Sequence, residues 1–218
     1  MLKQLRKIRG TNLGFIDKHI NSLKEHNKQQ YERLDKNGKY INKEPSNIRK
    51  KEIYKLYEHI FKSSFDERKK EVLLTTAFGN EKWSWRVVGI SYYALAEFEE
   101  NNYKYKTRTF NRDHFYQRRI DTFRKMLKKL MPYEEWWKWF WKNDETIIVT
   151  IEQHSKNWLR AEHLDIVPID WRLGYFTCNP IAGFSFSKSR EGNYLYNLAQ
   201  IIIGIEKKLG RQQGGKNL

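Results

Sequence analysis

The chain has 218 residues, 39% of them hydrophobic and 15% aromatic, with a formal charge of +16 and a pI near 9.7. Its apolar and ring content excludes a disordered polybasic tail, and its length allows a sizeable hydrophobic core. The charge opposes compactness and calls for a polyanionic partner; because it is spread along the chain, not gathered beside an amphipathic anchor, nucleic acid is favoured over a membrane surface.

Residues 1–62 are rich in Lys and Arg and poor in aliphatics, and read as a basic helical arm or extension. Weak amphipathic patterns run around Phe15–Leu34 and Ile48–Phe61. A turn at Lys36-Asn37-Gly38-Lys39 and a break at Glu44-Pro45-Ser46-Asn47 separate them. Beyond Lys70 the composition changes. Glu71–Phe78 and Lys82–Ile90 read as strands joined by a hairpin turn at Gly79-Asn80, and Ser91 can cap a short helix through Phe98. Tyr103–Phe110 alternates aromatic or polar residues with Lys104, Lys106 and Arg108, which in a strand puts rings on one face and charges on the other.

That segment delivers Asp113-His114, where the alternation gives way to a helical period. Tyr116, Ile120, Phe123, Leu127 and Leu130 fit one apolar helix face, while His114, Arg118, Lys125 and Lys129 share the opposite one. A second helix begins at Pro132-Tyr133-Glu134-Glu135 and carries Trp136, Trp137, Trp139, Phe140 and Trp141. Such a cluster reads as core, with a base-stacking platform as the alternative. Thr146–Ile151 is the clearest strand, a β-branched run suited to burial on both faces, ending in Glu152-Gln153-His154. Glu152 and His154, two apart, would share one side of an extended chain. Ile166–Ile169 reads as a strand, Gly174–Pro180 as a strand and turn, Ile181–Ser187 as alternating, and Glu191–Leu209 as a closing helix. The Gly- and Gln-rich tail, 210–218, reads as disordered. The fold class is therefore α+β: a core domain over 63–209 with a central mixed or antiparallel sheet and flanking helices, plus the N-terminal extension.

Cys178 is the single cysteine, so no intrachain disulfide and no Cys-based zinc site can form. No apolar stretch follows the basic MLKQLRKIRG and no run spans a membrane, so the expected location is the cytoplasm, without membrane association.

Hydrolysing a phosphodiester needs a base to activate water and a cation to neutralise developing charge, commonly a metal held by carboxylate and imidazole. Asp113-His114, Glu152 with His154, and Glu162-His163-Asp165 supply such groups in a strongly basic chain. The candidate catalytic residues are His114, Asp113 and Glu152, and the candidate metal ligands are Glu152, His154 and His163. The expected phosphate contacts are Lys104, Lys106, Arg108, Arg112, Arg118, Arg119, Lys125 and Lys129. Mg²⁺ is the expected cofactor.

Arg112-Asp113-His114, with the aromatic–basic segment before it and a helix after it, resembles the histidine-bearing segment of the HNH (ββα-metal, His-Me finger) nuclease superfamily. The resemblance implies a His at a strand end as general base, a downstream Asn that orders the ribbon, and a third residue, often His, on a divalent metal. His114, Asn143 and His154 occur in that order. A second placement, exclusive of the first, runs from Glu162-His163 through Asn179 to Lys188. No PD-(D/E)xK spacing, GxxxxGK[ST] loop or GIY-YIG pair is found. The expected function is a DNA endonuclease of restriction or defence type acting on double-stranded DNA, as a monomer or a homodimer. Two alternatives stand beside it: a non-catalytic nucleic-acid-binding protein using aromatic stacking and Lys/Arg contacts, and a metal-independent DNA glycosylase.

Overall fold

The computed structural model describes residues 43–79, 81, 83–106, 108–114, 122–155, 166–176 and 190–214. The described elements are α1 (Asn47–Lys62), α2 (Glu67–Gly79), β1 (Arg86–Ser91), α3 (Tyr92–Glu100), β2 (Phe110–His114), α4 (Arg124–Lys128), α5 (Tyr133–Asn143), β3 (Glu145–Thr150), α6 (Ile151–Ser155), β4 (Ile166–Pro168), a 3-10 turn at Trp171–Leu173, and α7 (Arg190–Gly214). The fold is α+β, with a four-stranded mixed sheet in the order β2-β3-β1-β4 and helices flanking it. β3 runs parallel to β1 and antiparallel to β2, while β4 runs antiparallel to β1. The β-branched run of β3 takes the interior position expected of it, with Ile147, Ile148 and Val149 all buried.

Among the described residues, two large apolar clusters form the core. In one, Val87, Ile90, Phe110 and Ile148 from the sheet meet Leu95 and Phe98 of α3 and Leu195, Leu198 and Ile202 of α7. In the other, α1, α2, α4 and α5 gather Tyr57, Phe78, Phe123, Trp136 and Phe140. Residues 47–62, read from sequence as part of a basic arm, thus form a helix whose Ile53, Tyr57 and Ile60 enter the aromatic core. The Tyr57 hydroxyl donates to Met126 O (2.8 Å) and accepts from Met131 N (3.1 Å), fastening α1 to the segment before α5. Ser46 caps α1 at Arg49 N (3.2 Å), where the Pro45-Ser46-Asn47 break predicts a helix start. Residues 1–42 lie outside the described residues.

Several local expectations are corrected. Glu71–Phe78 is helical, not a strand. Glu71, Leu74 and Phe78 are buried at helical spacing, and the Thr75 and Thr76 hydroxyls donate to the carbonyls of Glu71 and Val72, one turn back. Of the predicted strand Lys82–Ile90, only the part from Arg86 onward is extended; Trp85 has a φ of 59° where Asp144 captures its backbone N–H. The described residues between Asn101 and Phe110 are turn-rich and not a strand, with Asn102, Tyr103 and Arg108 at φ of 53°, 55° and 62°. The helix expected to begin at His114 does not begin there, because His114 closes β2 opposite Thr146. α4 starts at Arg124, and residues 115–121 lie outside the described residues. Glu152 and His154 sit on a short helix, not on an extended chain. α7 continues through Gly214, past Gly210, where the sequence suggested a disordered tail. Most of the predicted segment Gly174–Pro180 and all of Ile181–Ser187 lie outside the described residues. No helix among the described residues is long and apolar enough to cross a membrane.

Candidate active site and basic loop

Neighbouring residues on a strand point to opposite faces of the sheet. Asp113 and His114 are neighbours on β2, so the adjacent pair in the sequence is divided between two sites. Each finds a partner of the opposite kind: Asp113 meets His154, and His114 meets Asp144.

The first site is half exposed. His154 Nδ1 lies 3.6 Å from Asp113 Oδ2, a close polar contact just beyond hydrogen-bond length. His154 reaches that position because α6 begins immediately at the end of β3 and packs over β2 and β3. Thr150-Ile151-Glu152-Gln153 forms a capping box. Gln153 N donates to Thr150 Oγ1 (3.2 Å), and Thr150 N donates to Gln153 Oε1 (3.0 Å). Burial raises the Asp113 carboxyl above its ordinary value, while His154 and the His114 backbone N–H act in the opposite direction. Glu152, also on α6, is exposed.

The loop of residues 101–109 lies against this helix. Ile151 N donates to Thr109 O (2.9 Å), so the first residue of α6 is hydrogen-bonded to the end of the loop. Burial alternates along the loop although no strand forms: Tyr103 and Tyr105 are half-buried, and Lys104, Lys106 and Arg108 are exposed. Tyr103 N donates to Phe98 O (2.6 Å), the Tyr103 ring meets Tyr196 edge-on (5.4 Å), and Tyr105 packs near Phe110 (6.2 Å). Gly192 of α7 sits so close beneath the loop that a Cβ there would come 2.9 Å from Tyr103 O. The rings anchor the loop and leave its cations outward.

The second site is interior. Asp144 is fully buried between α5 and β3; it accepts from Trp85 N (2.8 Å) and Ser84 Oγ (3.4 Å) and lies 3.8 Å from Arg86 Nη1 and 3.9 Å from His114 Nε2. The Arg86 guanidinium stacks on Trp141 (3.6 Å), faces Trp171 (5.7 Å), and donates to Trp141 O. Burial lowers its pKa, against the pull of Asp144 and Glu145, and burial likewise raises that of Glu145. Arg112 donates to Trp85 O (3.1 Å) and lies over the Trp85 ring, which itself packs 4.3 Å from the His114 imidazole. Five charged or titratable groups (Asp144, Arg86, Glu145, His114 and Arg112) and several indole rings thus interlock where α5 enters the sheet.

Asp113 and His154 come together, and the segment that carries Lys104, Lys106 and Arg108 is joined to the helix of His154 through Thr109 O. His114 and Arg112, assigned from sequence to catalysis and phosphate contact, lie in the buried cluster, with Arg112 only 6% exposed. Lys125 and Lys129 are exposed at α4, and Lys125 Nζ sits 3.5 Å above the Trp139 ring. Arg118, Arg119 and His163 lie outside the described residues, as do Glu162, Asn179 and Lys188 of the second finger placement. In the first placement, His114 and His154 sit on opposite faces of the sheet, and Asn143 is buried with its amide donating to Trp139 O (2.7 Å). Trp136 and Trp137 are core, and Trp136 is fully buried. Sequence reasoning passed over Asp144 and Arg86, which carry no motif. It also passed over Gln153, although Thr-x-x-Gln before a helix is a legible signature.

Among the described residues no three His, Cys, Asp or Glu side chains converge on one point. Asp113 and His154 supply two donors, and a divalent cation there would need ligands from elsewhere. Comparison with known protein families, curated proteins and solved structures returned no match for this chain.

Proposed function

We propose that this protein acts on nucleic acid, hydrolysing the phosphodiester backbone with Asp113 and His154 as its acid–base pair. The observation that carries the reading is the half-exposed Asp113–His154 contact, tied through Ile151 N and Thr109 O to a loop that holds Lys104, Lys106 and Arg108 outward. A carboxylate beside Nδ1 sets the imidazole tautomer and stabilises the imidazolium, which leaves Nε2 to take a proton from water. In the step, the water oxygen bonds to phosphorus and its proton passes to Nε2, while the bond from phosphorus to the leaving oxygen breaks and that oxygen takes a proton from solvent. The loop cations hold the flanking phosphates and offset the charge that develops.

The charge of +16 supports a polyanionic substrate, with duplex DNA the first to test. A chain with one cysteine and such a partner fits a cytoplasmic setting. The described donors do not by themselves complete a site for Mg²⁺. The test is to incubate the purified protein with duplex DNA, single-stranded DNA and RNA, with Mg²⁺ and with EDTA. Cleavage of the backbone supports the reading. Abasic products in EDTA would instead indicate base excision, and binding without any product would indicate a non-catalytic nucleic-acid-binding protein.

A further inference from the structure

We infer that Gln153 is the positioning residue of the pair, holding His154 against Asp113 by locking the first turn of α6 to the ends of both parallel strands. The inference rests on the Asp113–His154 reading above. Gln153 is 6% exposed, and its Oε1 gathers three donors: Thr150 N at 3.0 Å, Ser91 Oγ at 2.8 Å and Thr150 Oγ1 at 3.4 Å. Because a backbone N–H can only donate, the contact with Thr150 N fixes which amide atom is the oxygen. Nε2 is buried and has no hydrogen-bond partner among the described residues. The side chain is therefore held through its acceptor alone.

The three donors come from two elements. Thr150 ends β3, and Ser91 ends β1, its parallel neighbour. Ser91 Oγ also accepts from Ala94 N (3.1 Å), so one hydroxyl caps α3 and donates to Gln153 at once. Gln153 N returns a bond to Thr150 Oγ1 (3.2 Å), which closes the capping box. α6 has only five residues, too short to hold its own geometry by helix propagation. Its orientation comes from this knot and from the Ile151 N–Thr109 O bond. His154 is the next residue after Gln153, so a rotation of the first turn moves the imidazole away from Asp113. A residue retained only for local stability would not control that distance.

The experiment reads the distance through Asp113. Its carboxyl carbon is followed by NMR against pH in the full chain and identified by the resonance lost in Asp113→Asn. Burial raises the Asp113 carboxyl and the nearby His154 opposes that rise, so His154→Asn should move its midpoint further up. Gln153→Leu should raise it in the same direction, and adding His154→Asn in that background should add nothing further. Thr150→Ala, which removes the Oγ1 half of the box, should also move it upward, and Thr150→Ser should restore the wild-type midpoint. On a cleavable substrate, Gln153→Leu should lower kcat by about a hundredfold with KM unchanged, the cost of misplacing a reacting group by about 1 Å. A folded Gln153→Leu with a wild-type Asp113 midpoint overturns the inference. If Gln153→Leu does not fold, an unchanged midpoint in Thr150→Ala overturns it equally. Should the wild-type protein cleave nothing, the titration still decides whether Gln153 sets the pair, and only the catalytic reading falls.

Discussion

Asp144→Ala is the sharpest test of how the interior is held. The carboxylate is wholly buried, it neutralises Arg86 at 3.8 Å, and it accepts the Trp85 backbone N–H at 2.8 Å. Removing one member of a buried ion pair costs about 3–5 kcal/mol, because the other charge is left uncompensated. Leaving a buried N–H without an acceptor costs about 1–3 kcal/mol, but the two losses share one site and do not add in full. Glu145, 3.8 Å from Arg86 and 40% exposed, keeps part of the compensation. The expected loss is therefore about 4 kcal/mol, a large share of the roughly 5–15 kcal/mol that holds a domain together. Asp144→Asn keeps an acceptor for Trp85 and Ser84 but still leaves Arg86 without its buried partner, so it should cost nearly as much, less only the share of the lost acceptor. Urea unfolding followed by tryptophan fluorescence measures both, with the m-value as the check on two-state behaviour. A loss below about 1 kcal/mol in Asp144→Ala, at unchanged m, would refute the reasoning, since that is the range of an exposed pair.

Three further outcomes are expected. Trp136→Ala should destabilise by about 3–5 kcal/mol, since the ring is fully buried among Tyr54, Tyr57, Phe78 and Phe140; near-wild-type melting with weakened single-strand binding would restore the stacking platform. Changing Lys104, Lys106 and Arg108 together to Ala should reduce the slope of log affinity against log salt by about 3, roughly one per phosphate contact, and an unchanged slope would place the nucleic acid elsewhere. The Asp113 carboxyl is raised in the folded protein, so the folded state holds its proton to higher pH than the unfolded chain does. Stability should therefore fall as pH rises from the ordinary value of 3.8 through the raised one, and Asp113→Asn should lack that part of the fall in a pH series of urea midpoints.

How far the sequence could be read depends on which force acts on each segment. β3 was legible because a β-branched run has few alternatives to a buried strand, and α5 because acids follow Pro132 before a ring-rich period. Ser91 and Ser46 announced their helices, since capping is a local interaction. Glu71–Phe78 misled because two threonines mimic a strand, whereas the buried spacing of Glu71, Leu74 and Phe78 is helical. Trp85 left its expected strand for a non-local reason: the carboxylate that turns it, Asp144, is 59 residues away. The candidate site shows the same division. Asp113, His154 and the loop cations were identifiable by residue type. That His114 would turn inward was not, because it depends on strand register and on which face of β2 meets Asp144. The alternation of Tyr103, Lys104, Tyr105 and Lys106 correctly sorted rings inward and charges outward, even though the backbone satisfies it through a loop and not through a ladder.

The catalytic reading rests most directly on His154. His154→Gln removes the base while keeping a polar side chain of similar reach, and α6 stays capped because Thr150 and Gln153 are untouched. Cleavage rate, nucleic-acid affinity and melting temperature should be measured on one preparation, beside His114→Gln. His154→Gln should lower turnover by about a hundredfold or more, in the range of general-base loss, with affinity and melting temperature little changed. His114→Gln, inside the buried cluster, should act first on melting temperature. Full turnover in His154→Gln would contradict a catalytic role for this histidine.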